Sequence, residues 1–124
     1  MTEHKQNNEL GAIRIADEVV SVIAGLAATE IEGVAGMSGG VVGGIAEILG
    51  RKNLTKGIKV EVGEKETSLN VFIIVKYGTS IPEVALAVQG NIKRAVENMT
   101  GLKVLEVNIH VQGVSFQKEE EKEE

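Results

Sequence analysis

Apolar residues recur along this chain at two helical spacings and at three alternating ones. Val19, Val22, Ile23, Leu26 and Ala27 follow one another at steps of three and four, which gathers them on one helix face, the expected core side. Asp17 and Glu18 fall in the first turn, where carboxylates favour the positive end of the helix dipole, and Gly33 is the expected stop. The second helical stretch opens on Ser80-Ile-Pro-Glu83, a capping-box pattern with proline in the first turn, where its missing N–H costs nothing. Ile81, Val84, Ala85, Val88, Ile92, Ala95, Val96 and Met99 continue as its buried stripe. Gly101 ends that helix and lets Leu102 pack back onto it.

Ile58, Val60 and Val62 alternate with Lys59 and Glu61, the run Gly63 to Thr67 turns the chain, and Leu69, Val71, Ile73 and Val75 return at period two. Phe72 and Ile74 fall on the opposite face, which predicts a central strand covered in part on both sides. Leu105, Val107, Ile109 and Val111 repeat the alternation, with Glu106, Asn108, His110 and Gln112 facing outward. A short strand-like stretch, Ala12 to Ile15, runs straight into the first helix. The order β-α-loop-β-β-α-β predicts an α+β fold, two helices packed on one face of a small, mainly antiparallel sheet. The final strand is expected at a sheet edge, where unpaired backbone groups recruit another chain.

The length of 124 residues suits one core. It divides into a polar, flexible N-terminus at 1–9, a single domain at 10–116 and an acidic tail at 117–124. The net charge is −5, and Lys118 to Glu124 holds five acids against two bases, so the tail is expected to be solvated and disordered. Without cysteine there is no disulfide, no thiol chemistry and no cysteine zinc site. No run approaches the ~20 apolar residues of a spanning helix, and the N-terminus lacks a signal-peptide layout. The expected location is cytoplasmic, with at most peripheral contact at the inner face of the membrane.

Candidate chemistry is sparse. Gly36-Met-Ser-Gly-Gly-Val-Val-Gly-Gly-Ile45 invites comparison with phosphate-binding loops, but no lysine follows Gly44 and no Gly-x-Gly-x-x-Gly fingerprint is present. It reads first as a connection that needs glycine's conformational freedom, and second as a site for a phosphorylated small ligand. Arg51, Lys52, Lys56 and Lys59 follow with no intervening acid. Beside Val41, Val42, Ile45, Ile48 and Leu49 they form an apolar stretch next to positive charge, suited to lipid headgroups or to an acidic protein surface. Nucleic acid is disfavoured by the acidic balance and by only three scattered aromatics, Phe72, Tyr77 and Phe116. His4 and His110 lack carboxylates at metal spacing, and no serine is paired with an activating histidine. No catalytic residue, metal site or cofactor is expected.

The segment Gly11-x-Ile-x-Ile-Ala-Asp-Glu-Val through Glu32-Gly-Val-Ala-Gly-Met37 resembles the alkaline shock protein family of Gram-positive bacteria, as do the hairpin, the Ser80-x-Pro-Glu83 helix start and the valine-rich last strand. The likeness spans Glu9 to Ser115. Gly39-Gly40, Gly43-Gly44-Ile-Ala-Glu and Gly50-Arg-Lys-Asn-Leu-Thr-Lys-Gly57 resemble the soluble members encoded near fatty-acid synthesis genes. The resemblance implies a non-enzymatic, self-associating protein of the envelope stress response type. It also implies protein partners, either a membrane-anchored protein or an acetyl-CoA carboxylase subunit. With the residue pattern it makes 37–56 the expected contact surface. Met37 opens that surface, Gly39, Gly40, Gly43 and Gly44 would permit the loop shape, Ile45 and Leu49 would supply an apolar anchor, and Arg51, Lys52 and Lys56 would select an acidic counterpart.

Overall fold

The computed structural model describes residues 3–38 and 55–116. Their strands and helices are β1 (Glu3–Asn8), β2 (Gly11–Ala16), α1 (Asp17–Thr29), β3 (Val34–Met37), β4 (Ile58–Val62), β5 (Glu66–Lys76), α2 (Ile81–Thr100) and β6 (Lys103–Ser115). The expected α+β architecture is present. β5 is central, pairing antiparallel with β3 and β4 and parallel with β6. A parallel neighbour requires a crossover connection, and α2 supplies it. The alternation in β5 separates two environments: Thr67, Leu69, Val71, Ile73 and Val75 are buried, while Ser68, Asn70, Phe72 and Ile74 on the other face are half-buried.

β3 and β4 occupy the same edge of β5, end to end. In a strand the N–H and C=O of one residue point to one side, and at Phe72 these groups serve both neighbours. The Ser38 N–H donates to the Phe72 carbonyl at 2.8 Å, and the Phe72 N–H donates to the Gly57 carbonyl at 2.8 Å. One strand is thus interrupted. The chain leaves it after Ser38 and rejoins it at Gly57. Gly57 is required there, since a Cβ would lie 2.8 Å from the carbonyl oxygens of both Phe72 and Ser38.

Both helices lie on the buried face, α1 over β3 and β4 and α2 over β6, and they pack on each other. The core joins Val20, Ile23, Ala24, Ala27 and Ala28 of α1 to Val84, Val88, Ile92 and Val96 of α2 and to the inner row of β5. α2 ends as its sequence predicts, with Gly101 at φ 80° and Leu102 buried. Its start differs, because Ser80 makes no side-chain cap. Proline in the first turn and a Val84 N–H donating to the Ser80 carbonyl at 3.0 Å hold it instead.

Three further details depart from the pattern reading. Gly33 does not cap α1, which ends at Thr29. It turns the chain at φ 107°, close under Val84. Leu105 is exposed, because the pairing slips between Thr67↔Val104 and Ser68↔Glu106, and a bulge of this kind redirects the extra side chain. Glu3–Asn8, whose polarity gives no alternation, pairs antiparallel with β2 as a separate two-stranded sheet turning at Glu9 and Leu10.

Candidate functional site

Of the ten residues expected to form the contact surface, two are described. Met37 ends β3, half-buried against the core, and Lys56 is exposed on a short helical turn before Gly57. The two ends meet, since the Cβ position of Gly57 lies 3.1 Å from that of Met37. Gly39, Gly40, Gly43, Gly44, Ile45, Leu49, Arg51 and Lys52 lie outside the described residues.

A second surface was hidden by the pattern itself. The face of α1 that packs inward is Val20, Ile23, Ala24, Ala27 and Ala28, and Val19 and Leu26, expected inside, are 45% and 49% exposed. Ala24, Ala27 and Ala28 let the helix lie close to its neighbours beside Val20 and Ile23, while Val19 and Leu26 are left outside. On α2, Met99, also expected in the core stripe, is 70% exposed. Val19, Val22 and Leu26 with Ala95 and Met99 line a groove of about 610 Å³ between the helices. Each half-exposed Val or Leu there leaves about 1 kcal/mol of burial unrealised. The signal was in the sequence: α1 carries apolar residues over too wide an arc for one contact.

The groove has defined ends. Glu18 and Glu30 are its charged lining residues, about 18 Å apart along α1 at the rise of a helix. Asn91 of α2 donates to the Ala27 carbonyl at 2.8 Å and to Glu30 Oε1 at 3.1 Å, which fastens the two helices and orients that carboxylate. Neither glutamate forms an ion pair with a described residue, where the pair present is Lys93–Glu97 at 2.9 Å. Glu97 also accepts the Val104 N–H at 2.9 Å. That bond, then Lys93, holds its carboxyl below the usual carboxylate range.

The outward face of the sheet carries a small polar and aromatic cluster. The His110 ring stacks on Phe72 at 4.4 Å between centroids, its Nε2 lies 2.9 Å from Asn70 Oδ1, and Lys59 Nζ sits 5.7 Å from the centre of the Phe72 ring. Ser38 Oγ donates to Gln112 Oε1 at 3.3 Å. These contacts bind β4, β5 and β6 to the residue where the chain leaves β3. Among the described residues no three His, Cys, Asp or Glu side chains are grouped to hold a metal ion, and no helix is long and apolar enough to cross a membrane.

Fold and surfaces together define a small α+β domain that presents an apolar helix face and a pinned strand interruption. The chain belongs to the alkaline shock protein 23 family, described as having a cell envelope-related function, whose model matches residues 5–116. It is 43% identical over 111 residues to YqhY of Bacillus subtilis, covering 90% of this chain and 82% of that protein. YloU of the same organism is 41% identical over 106 residues, covering 84% and 88%. A Streptococcus pyogenes protein named as a homologue of the stress response regulator Gls24 is 27% identical over 114 residues, covering 91% and 64%. No solved structure matches.

Proposed function

We propose that this protein is a non-enzymatic adaptor of the cell-envelope stress response, working in the cytoplasm at the inner face of the membrane through protein–protein contacts and self-association. The observation that carries this reading is the apolar face of α1 that no described residue covers. A domain with a filled core keeps such a face at a cost in solubility, and contiguous exposed apolar surface marks interaction sites. Membership of a cell-envelope family and a relative named as a stress response regulator homologue support the setting. The likeness to members encoded near fatty-acid synthesis genes makes acetyl-CoA carboxylase a partner to test first. The segment 37–56, held at both ends beside Phe72, is a further contact surface in this reading.

Quantitative co-purification from native cells tests it, comparing wild type with Arg51→Glu plus Lys52→Glu. A dominant partner recovered with wild type and lost with the variant is the expected result. Equal recovery removes 37–56 as a contact surface. No specific partner in any sample overturns the adaptor reading itself.

A further inference from the structure

We infer that the groove between α1 and α2 binds an amphipathic helix with a leucine-like apolar stripe and basic residues at its two ends. The inference rests on the adaptor reading and names the chemistry of one partner. Length, shape and charge converge on that occupant. Ala95 and Met99 face Val19, Val22 and Leu26 across the groove, so a third helix laid along it completes an apolar three-helix contact of the ridges-into-grooves kind. Side chains three and four residues apart on such a helix line up on one stripe, as the groove requires.

The charges at its ends then select the partner. Glu18 and Glu30 bracket the apolar floor, with about 18 Å between them along α1, which matches a helix of roughly three turns carrying Lys or Arg at both ends. Neither carboxylate is neutralised by an ion pair with a described residue, and Asn91 holds one of them in place. An acidic partner, or an anionic lipid surface, would meet like charge at both rims. A basic helix would meet complementary charge there and gain in association rate and orientation.

The test uses the full-length protein and a fluorescent leucine–lysine peptide of about 15 residues, long enough for roughly four turns. Its leucines are at i, i+3, i+4, i+7 and i+8, and the comparison peptide has glutamate in place of every lysine. Anisotropy titrations are expected to show the lysine peptide binding at least ~10-fold more tightly, with the difference shrinking as salt rises from ~0.05 to ~0.3 M. Leu26→Asp and Glu18→Lys plus Glu30→Lys should each weaken it about 10-fold or more. Glu61→Lys plus Glu64→Lys, on the β4–β5 hairpin and outside the groove lining, should leave it unchanged.

Equal binding of the two peptides, equal binding by Leu26→Asp, or an equal loss from the hairpin variant overturns the proposal. Thermal melting of each variant separates loss of binding from loss of fold, and Met99→Glu on the other wall provides a second, independent disruption. Sedimentation of the wild type closes one other route: a dimer abolished by Leu26→Asp makes a second copy the occupant and overturns the basic-helix assignment. If peptide binding fails while native co-purification persists, the groove inference falls and the adaptor reading stands.

Discussion

Replacing Gly57 with alanine probes the point where the interrupted strand is rejoined. The new Cβ would lie 2.8 Å from the carbonyl oxygens of Phe72 and Ser38. Both obstacles are backbone, so neither can rotate away as a flexible side chain would. Overpacking of this kind costs about 1–3 kcal/mol. Relieving it by moving the strands apart strains the 2.8 Å bonds that join Phe72 to Ser38 and to Gly57, each contributing about 1 kcal/mol. The expected loss is about 2–5 kcal/mol, a large fraction of a stability of ~5–15 kcal/mol. It corresponds to a fall in Tm of roughly 10–25 °C for a domain of this size. Urea and thermal unfolding, followed by circular dichroism, measure it. Gly36→Ala is the control, because nothing lies within 4 Å of its Cβ position and its change should stay within about 1 kcal/mol. A Gly57→Ala protein that melts with the wild type, or a Gly36→Ala protein that loses as much, refutes the end-to-end arrangement of β3 and β4.

Gly33→Ala and Gly78→Ala separate backbone strain from crowding. Both glycines have positive φ, 107° and 96°, and alanine at either should lose about 1–2 kcal/mol. Only at Gly33 does the added carbon meet Val84, at 2.6 Å, adding about 1–3 kcal/mol, so equal losses in the two variants contradict the close passage. Glu97→Gln tests the bond to Val104 through pH. A carboxyl lowered in the folded state contributes stability above its unfolded pKa and loses it as pH falls through the folded value. The wild type should therefore exceed Glu97→Gln in Tm near neutrality, and the gap should close as pH drops from ~7 to ~3. A gap that stays constant or widens counts against that bond.

The sheet's centre and the middle of the second helix are legible because their patterns are narrow, whereas Ile81 and Met99 at the ends of that stripe are exposed. In β5 every second residue from Thr67 to Val75 is buried, and period two admits one arrangement of faces. Val84, Val88, Ile92 and Val96 likewise form a single row on α2, and Gly101 marks its end by conformation. On α1 the spacing places Ile23 and Ala27 rightly in the core, but Val19 and Leu26, which it also turns inward, are exposed. Apolar residues surround too much of the helix, and the choice falls to close packing, which favours Ala24, Ala27 and Ala28 over Leu26. The outward turn of Leu105 was invisible because one slipped pairing in β6 leaves the alternation of letters intact. That β3 and β4 are one interrupted strand depends on hydrogen bonds to Phe72, which lies far along the sequence from Ser38. The groove was missed for the same reason as the helix face. Its walls, Val19, Leu26 and Met99, lie on the stripes that helical spacing alone assigns to the core.

Growth of a deletion strain under alkaline and cell-wall stress, complemented with surface variants, measures the central claim most directly. Leu26→Asp plus Met99→Glu, disrupting both walls of the groove, is set against His110→Ala plus Glu61→Gln, which alters polar groups elsewhere. The account predicts that the groove pair, expressed and folded like the wild type, fails to restore growth and loses its co-purifying partner, while the polar pair restores both. Full rescue by the groove pair, or failure confined to the polar pair, contradicts it.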